Sequence, residues 1–437
     1  MIRRTHLTLA AAVSTLAPAP ALARTLSLQE AERYAMEHQP SLAEARATTD
    51  VARAQADQAF APLLPQVTGT ASYGRQTANF VQRPGALPSN VNVSGRTPNA
   101  DTFDAWNFGL TASQLVWDFG QTTGRHNAAV ANAEAQREQE VVTQRNTLFN
   151  VRSAYFQAWA NHALVRVAED NLTNQSRHQE QVEGFVRAGS RPEIDLAQVR
   201  ADRANAALQL ANAESAYESA KALLVQSMGV ETPFDFDVAD EELGAVPGED
   251  AAPTTLVASA TEQRPEVRAL EKQENAQELT VRAAKGAYGP SLGVSANATE
   301  AGVKLDALTW NFGAQATLTW PIFQGGLTNA TVRAAEANVT ATRAALAVTK
   351  QQVQFDVTQA LVAVRAAKIS VATAKEVEAN AQVRLRLAEG RYAAGAGSII
   401  ELQDAQVAET TAAGQVIQAE FTLYSARASL VRALGRN

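Results

Sequence analysis

Apolar residues fall on two periods along this chain. Trp310, Phe312, Ala314, Ala316, Leu318 and Trp320 alternate with polar residues or glycine, and Trp106, Phe108, Leu110 and Ala112 do the same, with Trp117 beyond. A period of two predicts strands with one apolar face. Val67, Gly69, Ala71 and Tyr73, and Leu292, Val294 and Ala296, supply the strand before each. Eleven residues tilted near 45° span a bilayer as barrel wall, and Trp106, Trp117, Trp310 and Trp320 stand where an aromatic girdle belongs. A soluble hairpin explains one such strand. Four strands in two hairpins, with no second sheet to cover them, read as membrane wall. Four strands cannot close a barrel, and open edges are not tolerated in lipid, so the chain is expected to oligomerise.

The second period is helical. No glycine or proline occurs from Arg125 to Glu183 or from Leu327 to Glu389, which predicts two extended helices on the order of 90 Å. Return helices are predicted over about Glu193–Met228 and Ser398–Leu434. The first carries a heptad seam at Ala206, Leu210, Ala213, Tyr217, Ala220 and Leu224, the second at Ala412, Val416, Ala419, Leu423, Ala426 and Leu430. Alternating small and large residues at that spacing suit knobs-into-holes packing. Shorter helices are bounded by Pro40 and Pro62, and by Pro265 and Gly286.

The chain is also written twice. Trp106-Asn-Phe-Gly109 recurs as Trp310-Asn-Phe-Gly313, an offset of 204, and Ala188-Gly189 recurs as Ala394-Gly395, an offset of 206. Pro40 and Pro65 match Pro265 and Pro290 at 225, which places about 21 extra residues, with Pro84-Gly85, Pro88 and Pro98, in a long loop of the first hairpin. Two copies of one large unit are implied. The expected division is a signal peptide at 1–23, a first repeat at 24–229, a linker at 230–255 rich in Asp, Glu and Pro, and a second repeat at 256–437. Arg3 and Arg4, the apolar stretch Leu7–Leu16 and Ala21-Leu22-Ala23 form the export signal.

Composition narrows the chemistry. Alanine is roughly a fifth of the 437 residues, which favours closely packed helices. The absence of cysteine excludes disulfides, thiolate metal sites and N-terminal lipidation on cysteine, and a net charge of −7 argues against nucleic acid. Mean hydropathy is −0.19 and no run of about 18 apolar residues follows the signal, so no transmembrane helix is expected. Five scattered histidines form no metal motif, Asp118-Phe119-Gly120 lacks the companions of a kinase, and Gly-x-Ser-x-Gly is absent. No enzyme, metal or cofactor is expected.

The segments APLLPQV (61–67), LVWDFGQ (115–121), FVRAGSRPEIDLAQVRA (185–201), TWPIFQGG (319–326) and GRYAAGAGSIIELQDAQ (390–406) resemble the TolC family of outer-membrane efflux channels. The resemblance covers essentially the whole mature chain. It implies a mainly α protein with membrane β, a homotrimer whose protomers each give four strands to a twelve-stranded barrel in outer-membrane lipid, and a helical tunnel across the periplasm. It implies an exit duct for substrates delivered by an inner-membrane transporter, of RND, ABC or MFS type, through a periplasmic adaptor. Ala188, Gly189, Ser190, Ala394, Gly395 and Ala396 correspond to the helix tips that meet the adaptor, and Glu401 and Asp404 to acidic rings at the entrance. Asp195 and Tyr392 correspond to the gate. The family's arginine five residues after the tyrosine is Gly397 here, and Arg191, its repeat equivalent, is the expected substitute. The alternative reading is a non-membrane periplasmic coiled-coil protein, which leaves the alternating strands unexplained.

Overall fold

The computed structural model describes residues 24–77, 100–231 and 236–436. The export signal and the extra loop with Pro84-Gly85, Pro88 and Pro98 lie outside the described residues. In chain order the elements are β1 (Arg24–Leu26), α1 (Leu28–His38), α2 (Pro40–Phe60), β2 (Gln66–Thr77), β3 (Thr102–Trp117), α3 (Gln121–Arg187) and α4 (Glu193–Met228). There follow β4 (Phe236–Val238), α5 (Pro253–Gln263), α6 (Pro265–Gly286), β5 (Ser291–Gly302), β6 (Thr309–Thr319), α7 (Leu327–Ala393) and α8 (Ile399–Ala433).

The long helices α3 and α7 have 67 residues each, about 100 Å at 1.5 Å per residue. They run past Gly124, Gly184 and Gly390, where the sequence expectation stopped them. A single glycine inside a helix costs only about 1 kcal/mol, which the packing of a long helix absorbs. A stretch within α7 also has the length and mean hydropathy, 1.2, of a membrane crossing, contrary to the expectation that none exists. The same helix carries an exposed heptad stripe, Val348, Phe355, Val362 and Ile369, all more than half exposed in the single chain.

The chain divides into two compact units, each drawing on both halves of the sequence. One comprises Met1–Gln39, Thr147–Pro247 and Ala363–Ser429. Its core gathers Tyr155, Phe156 and Trp159 of α3 with Leu224 and Met228 of α4, Tyr424 of α8, and Leu26, Phe236 and Val238 of the parallel pair β1–β4. The Tyr155 hydroxyl donates to Leu26 O and Ala239 O at 3.2 and 3.1 Å, and the Trp159 indole N–H donates to Asp240 at 2.7 Å. The Tyr155 hydroxyl thereby satisfies backbone carbonyls beside a two-stranded sheet too small to stand alone, and the Trp159 indole ties in the Asp240 side chain.

The other unit comprises Pro40–Asn146, Gly248–Val362 and Leu430–Asn437. Here α6 lies between α3 and α7 on a ladder of ion pairs. Lys272 and Arg268 reach Glu134 and Glu138 of α3, while Glu271, Glu274 and Glu278 meet Lys350 and Arg343 of α7. These pairs are partly exposed, and each is worth under about 1 kcal/mol, so they set register more than stability. This unit also carries a four-stranded antiparallel sheet of order β2-β3-β5-β6.

Candidate functional site

The sheet has two chemically opposite faces, and its register assigns every side chain to one of them. On one face the cross-strand partners are Tyr73 with Trp106, Ala71 with Phe108, Gly69 with Leu110, Leu110 with Ala298 and Ala298 with Phe312. On the other they are Thr68 with Thr111, Ser72 with Asn107, Thr111 with Asn297, Ser295 with Gln315 and Thr299 with Asn311. The second face carries hydroxyls, amides and glycines and no charge along these rows. Such a sheet has no internal core on either side. Its apolar face, charged only toward the hairpin ends at Glu300 and at the Arg75–Asp104 pair, needs lipid, and its polar face needs water.

The aromatic residues mark two levels. Tyr73, Trp106 and Trp310 lie toward the hairpin ends of the strands, and the Tyr73 and Trp106 rings are 4.5 Å apart. Trp117 and Trp320 lie at the opposite end, where the Trp320 indole donates to Tyr288 O at 3.1 Å. Trp106 is the fifth residue of the 16-residue β3 rather than its first, and an irregularity between Leu115 and Trp117 interrupts that strand's alternation. Asp118 follows the strand, its carboxylate accepting from Thr122 N in the first turn of α3 at 2.6 Å, so Asp118-Phe119-Gly120 is a strand-to-helix turn.

At the far ends of α3 and α7 the chain turns back in one conformation twice. Gly189 and Gly395 have φ of +71° and +74°. Gly189 N donates to Val186 O and Ser190 N to Phe185 O, both at 3.0 Å. The second turn repeats this, Gly395 N to Tyr392 O at 3.0 Å and Ala396 N to Arg391 O at 2.9 Å. These are Schellman closures, which require the left-handed backbone that glycine adopts without steric cost. The exposed residues presented there are Ala188, Gly189 and Ser190 on one tip and Ala394, Gly395 and Ala396 on the other.

Behind the tips the structure brings Tyr392 and Arg191 together. The Arg191 guanidinium lies over the Tyr392 ring at 5.2 Å, a cation–π contact. Burial pushes the Tyr392 hydroxyl up, with Arg191 opposing and Asp195 adding to the shift. Gly397 closes the same turn: a Cβ there would come to 3.0 Å from Tyr392 N, so the position has tight backbone around it. Glu401 begins α8 with its N–H donating to Ser398 Oγ, and its carboxylate pairs with Arg391 at 2.8 Å. Asp404 is exposed and lines a polar cleft of about 380 Å³ with Asp202, Gln175 and Gln403.

Residues 33–230 and 256–436 match the family model for outer membrane efflux proteins. The chain belongs to that family. Among curated relatives, it is 26% identical to outer membrane efflux protein BepC of Brucella suis over 80% of this chain and 76% of that one. It is 24% identical to the solvent efflux pump outer membrane protein SrpC of Pseudomonas putida, over 80% and 74% of the two chains. The fold is that of the Campylobacter jejuni CmeC outer membrane channel (TM-score 0.79, 21% identity, 93% of this chain and 85% of that one). The open-state MtrE channel of Neisseria gonorrhoeae aligns with TM-score 0.76 at 23% identity over 94% and 89%. This efflux protein therefore resides in the outer membrane as an exit duct, and the soluble coiled-coil alternative is not favoured.

One group near the tips escaped the sequence reading. Gln175, His178 and Gln179 of α3 are spaced i, i+3, i+4, and Gln175 and His178 are buried. Polar residues at helical core spacing were the available signal, and an isolated histidine was too weak to raise it.

Proposed function

We propose that three copies of this efflux protein close one twelve-stranded barrel and a helical tunnel, forming the passive exit duct of a tripartite export system. The observation that carries the reading is the sheet itself. Its edge strands β2 and β6 have no partner on their outer sides within the described chain, and they run in opposite directions. The β6 of one copy can thus pair antiparallel with β2 of the next, and cyclic repetition removes every edge from lipid. The apolar face then meets lipid, with Trp106, Trp310, Trp117 and Trp320 at its two borders, and the uncharged polar face lines the lumen.

The tips at 188–190 and 394–396 dock a periplasmic adaptor, which delivers substrate from an inner-membrane pump. Glu401 and Asp404, repeated by the trimer, form acidic rings at the entrance and favour cations. Tyr392, Arg191 and Asp195 hold that entrance narrow. The export signal at 1–23 and the duplicated units at 24–229 and 256–437, joined by 230–255, are part of the same reading. Planar-bilayer recording tests it. Purified protein should insert as a trimeric, cation-preferring conductance, and Glu401→Gln with Asp404→Asn should lower the preference. A monomer without conductance overturns the channel reading, and unchanged reversal potentials overturn the rings.

A further inference from the structure

A cluster of buried polar atoms without partners lies between the α3–α4 hairpin and the α7–α8 hairpin. His178 is 4% exposed, Tyr392 5% and Gln175 8%. His178 Nε2, the Tyr392 hydroxyl, Gln175 Oε1 and Gln179 Oε1 are enclosed and find no hydrogen-bond partner among the described residues. Gln175 Nε2 donates to Gln406 of α8 at 3.2 Å, and the His178 ring meets the Tyr392 ring edge-on at 5.4 Å. Ala388, Leu402 and Ala405 pack around Tyr392 from α7 and α8. Each unpaired buried group costs of order 1–3 kcal/mol, and separating the hairpins returns that cost because water replaces the missing partners.

We propose that His178 is a proton-operated latch, neutral when the hairpins are closed over it and driving them apart when protonated. The inference rests on the exit-duct reading for its physiological meaning. An imidazolium at this position would stand 5.4 Å from the Tyr392 ring of α7, which already carries the Arg191 cation at 5.2 Å. The charged groups around it are few. Asp202 of α4 attracts the proton, and its carboxylate already accepts from Gln403 of α8. Asp404 of α8 shares the cleft with Asp202, Glu401 of α8 is paired with Arg391, and Glu183, one turn along α3, is held by Gln179 and Arg200. Burial pushes the His178 imidazole below its ordinary value, against the Gln181 hydrogen bond and the Asp202 charge, so the closed form holds its proton more weakly than an opened form in water. Acidification from neutral pH through about 6.5 then favours opening by linkage.

The chain has no cysteine, so single thiols report opening without background. Ala405→Cys places one in the buried layer around Tyr392, and Ala396→Cys places one on the exposed tip. Their maleimide labelling rates are compared as a ratio, which cancels the intrinsic pH dependence of the thiol. From pH 7.5 to 5.5 that ratio should rise at least fivefold in the otherwise unaltered protein and stay constant with His178→Phe. His178→Asn, which keeps the shape and polarity without the titration, should also abolish the rise. A flat ratio in the parent, or the same rise in both variants, overturns the latch. Bilayer conductance recorded alongside separates the two readings: a protein whose ratio responds to pH but which never conducts keeps the latch and loses the exit duct.

Discussion

Tyr392 makes its contacts at the tip through its ring rather than its hydroxyl. The ring touches Arg191 on one side and His178 on another, and among the described residues no partner accepts or donates at the oxygen. Removing a buried hydroxyl that bonds nothing is near neutral or stabilising by up to about 1 kcal/mol, whereas removing the ring takes away packing and the cation–π contact together. Tyr392→Phe should therefore leave single-channel opening frequency within about twofold of the parent, while Tyr392→Ala and Arg191→Ala should both raise it several-fold. A Tyr392→Phe protein as leaky as Tyr392→Ala would show that the oxygen is bonded in the assembled trimer. Glu409 of α8 is held above the ordinary carboxylate range first by burial, then by Glu378, Asp170 and Glu389. A raised folded-state value means stability that is present below the unfolded value, about 4.3, and lost as pH rises through the folded one. At neutral pH the ionised Glu409 therefore weakens this helix packing. Glu409→Gln should raise the melting temperature at pH 7.5 by a few degrees and change it little at pH 4, read from the helical circular dichroism signal.

At the scale of elements, the strands carry the membrane assignment, and their two faces give opposite predictions for the same substitution. Leu110 lies on the apolar face between Gly69 and Ala298, and Asn297 on the polar face between Thr111 and Gly313. A cationic side chain toward the bilayer midplane costs about 2–4 kcal/mol, while one toward a water-filled lumen costs little. Leu110→Arg should lower the unfolding free energy of the protein folded into vesicles by about 2–4 kcal/mol, read as a lower urea midpoint. Asn297→Arg should leave the midpoint intact and reduce cation conductance. This contrast was legible in the sequence because a period of two assigns faces without knowledge of the partners. The helix lengths were legible less well. Gly124, Gly184 and Gly390 look like terminators in a string, but the actual stops are the left-handed Gly189 and Gly395, where the hydrogen-bonded closure is complete. The contact of Arg191 with Tyr392 was foreseeable only through the 206-residue offset, since the two residues are far apart in the chain. Burial of His178 was barely legible, since the i, i+3, i+4 spacing with Gln175 and Gln179 does not show that α7 and α8 meet that face of α3.

For the whole molecule, the question is what covers the surface that one copy leaves apolar. The heptad stripe of α7 keeps Val348 at 65%, Phe355 at 58% and Val362 at 60% exposed, three large apolar side chains seven residues apart on a helix whose other apolar face is buried at Val353, Val357 and Leu361. Isolated exposed apolar residues are ordinary, but a repeat in heptad register is a packing seam awaiting a partner. Closure of the β2 and β6 edges by a second copy would bring a neighbouring chain alongside, so the same assembly step can cover both the sheet edge and the helix stripe. These two surfaces then stabilise one oligomer through different chemistry, backbone hydrogen bonds at the edges and side-chain burial at the seam. Glutamate at Phe355 and Val362 should selectively weaken the second. Burying the part of these two side chains that is still exposed is worth roughly 2–4 kcal/mol per seam, and placing ionised carboxylates there adds a desolvation cost. Phe355→Glu with Val362→Glu should therefore convert the trimer recovered in mild detergent to monomer, while the far-ultraviolet spectrum of the monomer stays helical. If the doubly substituted chain remains fully trimeric, the seam lies elsewhere on the helices and the edges alone hold the copies together.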